Sequence, residues 1–266
     1  MSTTNFTWDP KKYDRISIPQ QLDGQNLISL INPSVDWVVV DIGCGSGTLT
    51  MDIAKLVSEG KVIGIDASED MLKSANEKRQ SLGLKNVELR RSDFYDIDLF
   101  NVANLVFSSS ALHWVKDQGR VLAKIYRTLM PGGEIALQIG ARDSFKEGTE
   151  IACNIIQKLK LPEQFDNWLW PCVYPSIDEY ERLLVEAGFI DYRIDKSVYS
   201  YMFKDSQEAV DFHNYSGMHA YLSNLTENEA KNFLDEMKEG FELLETEKGI
   251  PTSIRCLYVT GSKPQK

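Results

Sequence analysis

Short apolar runs and segments of helical periodicity alternate through the first half of the chain. Five short segments have the apolar, β-branched character of strands, at 37–40, 62–65, 87–89, 103–107 and 134–139. Helical spacing of apolar residues links several of them, over 49–57, 68–81 and 120–130, with Ser68 as the expected N-cap of the second helix. Such alternation builds βαβ units and predicts an α/β fold, a doubly wound and mostly parallel sheet with helices on both faces.

The second half of the chain has a different pattern. Helices are expected over 144–160, 178–186 and 206–247, with Gly188 ending the second of them. Residues 167–175 form a loop rich in Trp and Pro. Alternating polarity over 189–201 and an apolar segment at 255–260 predict two more strands. These two strands would complete a seven-stranded sheet as an antiparallel edge pair, and the helices between them would form a cap.

The clearest chemical signal is the loop after the first predicted strand, Asp41-Ile42-Gly43-Cys44-Gly45-Ser46-Gly47. Glycines here let the backbone approach a ligand closely, and the next helix offers unpaired N–H groups. A dinucleotide-binding loop would need glycine where Thr48 stands, and a Walker loop would need Gly-Lys-Ser/Thr. Both patterns are missing. An acid two residues before the first glycine suits a ligand with an ammonium group better than a pyrophosphate.

Two further acids end the second and third predicted strands. Asp66 stands where a carboxylate can accept both hydroxyls of a ribose. Asp93 stands where a carboxylate can accept from an adenine amino group, while Phe94 packs on the ring. Ligands of open α/β sheets bind outside the carboxyl ends of the strands. We therefore expect Asp41, Asp66 and Asp93 to surround one crevice.

Composition narrows the classes of function. The 29 basic and 39 acidic residues leave a net charge of −10, which argues against nucleic-acid binding. No apolar run approaches the ~18 residues of a membrane helix, and the N-terminus lacks the features of a signal peptide. The four cysteines have no metal-ligand spacing. We expect a cytoplasmic protein with free thiols, no metal and no membrane partner.

The series of an acid, three glycines and two more acids resembles class I S-adenosylmethionine (SAM)-dependent methyltransferases. In that family the D-x-G-x-G-x-G loop wraps the methionine moiety, and the two later acids hold the ribose and the adenine. The resemblance implies a Rossmann-like fold, SAM as methyl donor and S-adenosylhomocysteine (SAH) as product. It implies cofactor binding by Asp41, Gly43, Cys44, Gly45, Asp66, Ala67, Asp93, Phe94 and Ser109.

Shorter blocks across nearly the whole chain resemble trans-aconitate methyltransferases. They are Trp8-Asp9-Pro10-Lys11-Lys12-Tyr13, then 109–117, 133–138, 201–225 and 255–259. The chain departs from that pattern at two places. His113 stands where the family usually has Gln, and Met218-His219-Ala220 replaces Gly-Leu-Arg. If the family arginine helps to bind a polycarboxylate, the acceptor here is smaller, less anionic or simply different.

Four residues are candidates for catalysis or acceptor binding. Methyl transfer is an in-line displacement that depends on alignment and exclusion of water, and an ionised carboxylate acceptor needs no general base. His113 is either a base for a hydroxyl or amine acceptor, or a hydrogen-bonding wall residue. Trp114 lines the transfer cavity or belongs to the core. Tyr13 covers the cofactor as a lid or packs in a helix, and Arg255 is a possible clamp for an acceptor carboxylate.

The leading hypothesis is a SAM-dependent methyltransferase that forms the O-methyl ester of a small carboxylic acid. Methylation of a carrier-bound acid, hydroxyl, amine or carbon is the alternative, and a non-catalytic SAM-binding module is a further one. The expected organisation is an N-terminal helical lid at 1–35, a SAM-binding core at 36–140, and the rest of the sheet at 141–266 with cap insertions at about 144–175 and 203–250. The oligomeric state is left open.

Overall fold

The computed structural model describes residues 9–161 and 172–266. Its strands are β1 (Val38–Ile42), β2 (Lys61–Asp66), β3 (Val87–Arg91), β4 (Ala103–Ser109), β5 (Leu129–Gly140), β6 (Ile190–Phe203) and β7 (Ile250–Ser262). They form one seven-stranded sheet in the order β3-β2-β1-β4-β5-β7-β6. The first five strands are parallel, and β7 runs antiparallel to both β5 and β6. This confirms the predicted α/β fold with its antiparallel edge pair.

The helices largely follow the predicted segments. They are α1 (Pro10–Ile16), α2 (Ile18–Ser29), α3 (Thr48–Leu56), α4 (Glu69–Ser81), α5 (Gln118–Thr128), α6 (Lys146–Lys158), α7 (Ile177–Ala187), α8 (Ser206–His213), α9 (His219–Leu222) and α10 (Glu227–Glu242). Ser68 caps α4 by accepting the Met71 N–H at 3.3 Å, and α7 ends at Gly188 with a left-handed φ of 93°. Both predicted helix ends are confirmed.

The sheet is buried on both faces. Val39 and Val40 are fully buried neighbours on β1, and their side chains enter opposite hydrophobic clusters because successive residues of a strand face opposite sides. Val39 shares its cluster with Phe107, whereas Val40 shares the other with Val106. Helices cover both clusters, so that the carboxyl ends of the strands are left as the place for a ligand.

The cap packs onto the hydrophobic cluster that contains Val39. Its helices contribute the fully buried rings of Phe212, Phe233 and Phe241, which join Phe203 of β6 in that cluster. The helical region predicted at 206–247 is interrupted between α8 and α9, where residues 214–218 form a π-type turn and Gly217 adopts a φ of 135°. That conformation is accessible mainly to glycine. The interruption separates α8 from α9.

The fifth strand differs from the prediction. The sequence pattern extends the preceding helix to Met130 and breaks it at 131–133, but α5 ends at Thr128 and β5 begins at Leu129. Ala103 pairs with Leu129 and Leu105 with Glu134, so the extra residues of β5 form a bulge in the ladder. Pro131 is tolerated there because a bulge does not need every backbone N–H. The Trp8 part of the N-terminal block and most of the predicted 167–175 loop lie outside the described residues.

Three further observations concern the thiols, metal ligands and membrane-spanning helices. All four cysteines carry free thiols. Within residues 9–161 and 172–266, no group of three or more His, Cys, Asp or Glu side chains is arranged to hold a metal ion. A search of the helices in the same ranges finds none long and apolar enough to cross a membrane.

Candidate functional site

Two adjoining cavities open at the carboxyl ends of the central strands. The first, here called the glycine-loop cavity, has a volume of about 480 Å³ and is lined by residues of the β1–α3 loop together with Ser109, Ser110 and α1. The second, the aromatic cavity, measures about 490 Å³ and is lined by His113, Trp114, Phe145, Phe212, Tyr215 and others. Tyr13, Gln20 and Ser110 line both cavities. Both figures include space that is open to solvent.

The glycine loop is folded for close approach of a ligand. Gly43, Gly45 and Gly47 adopt φ values of 73°, 53° and 83°, a region that side chains other than glycine rarely enter. The N–H groups of Gly43 and Cys44 both donate to the Ile65 carbonyl, at 2.8 and 3.0 Å, which fixes the loop on β2. A Cβ atom on Gly45 would meet nothing within 4 Å. Gly45 therefore leaves open space on the cavity side of the loop.

Asp41 lies buried at the end of β1 and lines the glycine-loop cavity. Its Oδ2 accepts the Thr50 hydroxyl at 2.6 Å. Burial raises the pKa of Asp41 to about 7, with a hydrogen bond from Thr50 acting in the opposite direction and the nearby Asp66 carboxylate adding to the rise. An ammonium group beside Asp41 would favour the ionised carboxylate. Beside it, Cys44 also lines this cavity, and burial raises the pKa of its thiol well above the ordinary value.

Asp66 lies at the end of β2 and reaches back to the glycine loop. Its carboxylate accepts the Gly45 N–H at 2.9 Å and the Ser68 N–H at 2.8 Å. Burial raises the pKa of Asp66, while these backbone N–H groups favour its ionised form. The carboxylate thus connects the loop to the start of α4.

The remaining predicted cofactor residues lie around this crevice with different contacts. Asp93 is exposed at the end of β3, and its carboxylate accepts the Tyr95 N–H at 2.9 Å. The Phe94 ring lies 3.6 Å from the Cβ position of Gly43, next to the glycine loop. Ala67 is exposed beside Asp66. None of Asp66, Ala67, Asp93 and Phe94 is among the described residues that line the glycine-loop cavity, whereas Ser109 is.

Helix α1 is tied across the mouth of the glycine-loop cavity. Asp14 accepts the Ser46 hydroxyl at 2.5 Å and pairs with the Lys78 ammonium at 2.7 Å. Lys78 also donates to Ser46 and to Thr48. These contacts bring Tyr13 over both cavities. Burial and the Asp66 carboxylate raise the pKa of Tyr13 to about 12, so its phenol stays neutral.

The sequence analysis missed this tie of Asp14 to Ser46 and Lys78. Asp14 directly follows the N-terminal block, and Ser46 stands inside the glycine motif. Each is therefore a sequence neighbour of a predicted site residue. Their contact joins segments that are 32 residues apart. A local motif carries no signal for such a pairing.

His113 lies in the wall of the aromatic cavity, just after β4. Its Nδ1 accepts the Gly140 N–H at 3.4 Å, so the neutral ring carries its proton on Nε2. Burial lowers the pKa of His113 to about 4. The ring is therefore a neutral hydrogen-bond donor near pH 7 and a weak base. Trp114 beside it stacks on His219 of the cap, with ring centres 5.4 Å apart.

Gln138 forms hydrogen bonds to residues that line the two cavities. Its side-chain oxygen accepts the Ser109 hydroxyl at 3.2 Å and both the N–H and the hydroxyl of Ser110, at 2.7 and 2.9 Å. Its amide nitrogen donates to Cys256 at 2.9 Å. Ser110 has a φ of 54°, a conformation that costs free energy for a residue with a Cβ. The Gln138 contacts hold this strained residue where the cavities meet.

Asp23 of α2 is a buried carboxylate on the aromatic cavity that the sequence analysis missed. It accepts hydrogen bonds from the hydroxyls of Tyr258 at 2.7 Å and Tyr199 at 3.0 Å, and from the Cys256 thiol at 3.2 Å. Burial raises its pKa, and these three donors act in the opposite direction. The surrounding residues, Gln20-Gln21-Leu22-Asp23-Gly24-Gln25-Asn26, are mostly polar, so no local pattern marks Asp23 as buried.

The structure places Arg255 away from the aromatic cavity, contrary to its predicted role as a clamp. Ile254 and Cys256 line the cavity, and because side chains of a strand alternate, Arg255 between them faces the other side of β7. Its guanidinium donates to the Asp143 carbonyl. The sequence analysis predicted this strand correctly. It was wrong about the direction of the Arg255 side chain.

Comparison with known proteins fits this geometry. Residues 33–188, more than half of the chain, match the family described as "Methyltransferase domain". The chain belongs to this methyltransferase family. A Deinococcus radiodurans protein named trans-aconitate 2-methyltransferase is 27% identical over 235 residues, which cover 86% of this chain and 88% of that protein. The resemblance found in the sequence is thereby confirmed.

Two further proteins are similar to this chain, one in sequence and one in fold. An uncharacterized methyltransferase of Schizosaccharomyces pombe is 30% identical over 222 residues, covering 80% of this chain and 83% of its own. Among solved structures, a Haemonchus contortus phosphoethanolamine N-methyltransferase in complex with phosphomonomethylethanolamine and SAH has a TM-score of 0.62 at 16% identity. That match covers 96% of this chain and 57% of that chain, and it concerns the fold alone.

Proposed function

We propose that this protein transfers the methyl group of SAM to the carboxylate of a small molecule. The observation that carries the proposal is the pair of cavities that meet at Tyr13, Gln20 and Ser110, one with an acid–glycine loop and the other with an aromatic wall. A cofactor in the first cavity would present its reactive group to an acceptor in the second. The relative named for trans-aconitate supports a carboxylate as the acceptor group.

The residues in and around the glycine-loop cavity fit SAM chemically. The open space at Gly45 leaves room for the ligand against the backbone. The Asp41 carboxylate is suited to the ammonium of a methionine moiety, and the Asp66 carboxylate to ribose hydroxyls. We assign Asp93 and Phe94 to the adenine, which is attached to the ribose. Bound SAM supplies an activated methyl group on a sulfonium.

The chain's own contribution would be alignment and exclusion of water. The rings of Trp114, Phe145 and Tyr215 make the acceptor side apolar, and Tyr13 of α1 lines it as well. A carboxylate acceptor is ionised at neutral pH and loses no proton on methylation. The neutral His113 can donate its Nε2–H to such an acceptor and thereby orient one oxygen. No proton needs to be removed, which suits a histidine whose pKa is about 4.

Substitution of His113 separates a donor from a base. His113→Gln keeps a hydrogen-bond donor, and we expect kcat to stay within about tenfold of the parent, whereas His113→Ala should lose a further factor of about ten. At saturating SAM, kcat should not vary between pH 6 and 8 in the parent or in either variant. A steady-state comparison at several pH values measures this. A pH-dependent step in the parent that is missing from both variants would contradict the donor role. It would favour a hydroxyl or amine acceptor.

The raised pKa of Asp41 predicts a pH dependence of SAM binding. In the ligand-free protein the carboxyl is increasingly protonated below pH 7, and an ammonium ligand requires the ionised form, so binding must release a proton. Affinity should fall by up to about tenfold per pH unit from pH 7 to 5.5 and be nearly level just above pH 7. Calorimetric titrations across this range measure it. Asp41→Asn should bind more weakly with no such slope, and an equal slope in that variant would exclude Asp41 as its source.

The proposal as a whole is tested by binding of SAM and SAH to purified protein freed of endogenous ligand. We expect saturable binding of both in the micromolar range by isothermal titration calorimetry. Absence of binding at millimolar concentration would contradict a methyltransferase function of this site. Binding without transfer to any acceptor, together with an aromatic cavity closed to small molecules, would instead favour a SAM-binding module.

A further inference from the structure

We propose that the aromatic cavity accepts acids with a single carboxylate, and that Asp23 excludes a second one. This inference rests on the proposed methyl transfer to a carboxylate and goes further by naming the charge of the acceptor. It departs from the tricarboxylate in the name of the Deinococcus relative. The charges that line the cavity carry the argument.

The charged group that the aromatic cavity presents is negative. Asp23 is the carboxylate among its described lining residues, and none of these is a lysine or an arginine. Residues 1–8 and 162–171, outside the described parts, contain neither residue type. A carboxylate binds tightly where a guanidinium or ammonium meets it, and a buried charge without a partner is strongly disfavoured. Each carboxylate beyond the first would lack a partner and would face Asp23.

Asp23 is held in place as a carboxylate. Its two oxygens accept from the hydroxyls of Tyr199 and Tyr258 and from the Cys256 thiol, so three donors stabilise its negative charge. The side chain is 2% exposed, which leaves little water to screen that charge. Asp23 is thus a fixed negative site on the cavity wall rather than a mobile surface acid.

A single acceptor carboxylate can be accommodated. The positive sulfonium of bound SAM balances one negative charge, and neutral donors such as the His113 Nε2–H complete its hydrogen bonds. The rest of the lining, with Trp114, Phe145, Phe212 and Ile254, suits an apolar body. The acceptor class is therefore a monocarboxylic acid with an apolar, unsaturated or aromatic body.

The closest cations described around the cavity are on α1. The Lys12 ammonium lies 5.5 Å from the centre of the Tyr215 ring and pairs with Asp211 at 3.1 Å. Arg15 is exposed on the same helix. Since Lys12 is already neutralised by Asp211, it does not offset Asp23. Release of Lys12 from Asp211 would give a second carboxylate a partner at the rim, and the experiment includes this release.

The experiment is a charge series of unsaturated acids with six carbons each. Trans-2-hexenoate, trans-2-hexenedioate and trans-aconitate carry one, two and three carboxylates. Each is titrated calorimetrically into the full-length protein saturated with SAH, and each is then offered with radiolabelled SAM. We expect binding to weaken at least about tenfold with each added carboxylate, and kcat/KM to follow the same order.

Several results would overturn the inference. Equal or tighter binding of trans-aconitate would exclude the single-charge rule. Binding of SAH with no affinity for any of the three acids would overturn the carboxylate acceptor, and failure of SAH itself to bind would overturn the proposed function instead. These failures are distinguishable because SAH binding is measured first and without acid.

A matched pair of variants tests Asp23 itself. Asp23→Asn is isosteric and removes the charge, and we expect the ratio of monoacid to diacid affinity to fall at least fivefold. Asp211→Asn removes a negative charge at the rim and frees Lys12 there, and it should lower that ratio less than Asp23→Asn does. An unchanged ratio in a folded Asp23→Asn protein would remove Asp23 from the selection, and a change confined to Asp211→Asn would assign selection to Lys12. If Asp23→Asn does not fold, the charge series on the parent protein decides.

Discussion

Gly45→Val should weaken SAM binding by about fivefold to 150-fold without unfolding the protein. The glycine has a φ of 53°, and a Cβ there meets nothing within 4 Å, so the valine side chain would occupy the space that we assign to the cofactor. Filling a site in this way costs about 1–3 kcal/mol, and every 1.4 kcal/mol is about a factor of ten in affinity. Calorimetric titration with SAH measures the loss.

Gly83→Val is the matched control for the backbone strain. Gly83 follows α4, has a φ of 66°, and its added Cβ would also meet nothing within 4 Å. Both variants should lose a similar free energy of unfolding, about 1–2 kcal/mol, for a side chain in the left-handed region. SAH affinity should be unchanged in Gly83→Val. Equal loss of affinity in the two variants would mean that strain, and not occupied space, weakens binding.

Asp66→Ala should weaken SAM binding by about 1–3 kcal/mol, the range for loss of a charged hydrogen-bond partner. Two effects act together, since the carboxylate is assigned to the ribose and also accepts the Gly45 N–H that shapes the loop. Dissociation constants for SAH and for adenosine measure the effect on each part of the ligand. We expect both ligands to be weakened, because the ribose is common to them.

The control for this substitution is Asp98→Ala, which removes an exposed acid from the loop after β3. It should leave both dissociation constants within about twofold. Asp66→Asn, which retains an acceptor for the Gly45 N–H, should fall between the parent and Asp66→Ala. Unchanged affinity in Asp66→Ala would remove Asp66 from the ribose role.

The parts of the molecule that the sequence predicts are those with local causes. The run of valines in β1, the Ser68 cap and the left-handed Gly188 are decided by a few neighbouring residues, and all are found as predicted. The extent of β5 is not local. Leu129 is in a strand because it pairs with Ala103, and that pairing overrides the helical periodicity up to Met130.

The candidate site divides in the same way. Asp41, Gly43, Gly45 and Cys44 lie together in the cavity because they belong to one loop. Asp23 could not be found from a motif, since its contact with Cys256 joins residues 233 positions apart. Arg255 stands in a correctly predicted strand, but which face of that strand turns to a cavity depends on the pairing register.

The central claim is methyl transfer from SAM to a small-molecule carboxylate, and the most direct test is to follow a radiolabelled methyl group. Purified protein and labelled SAM are offered small acids, trans-aconitate included, beside carrier-bound acids, phenols and amines. The account predicts label on a free carboxylic acid, released as methanol by mild base as expected of a methyl ester. Base-stable label on a phenol or amine alone would contradict the carboxylate acceptor and move His113 to the centre of the chemistry.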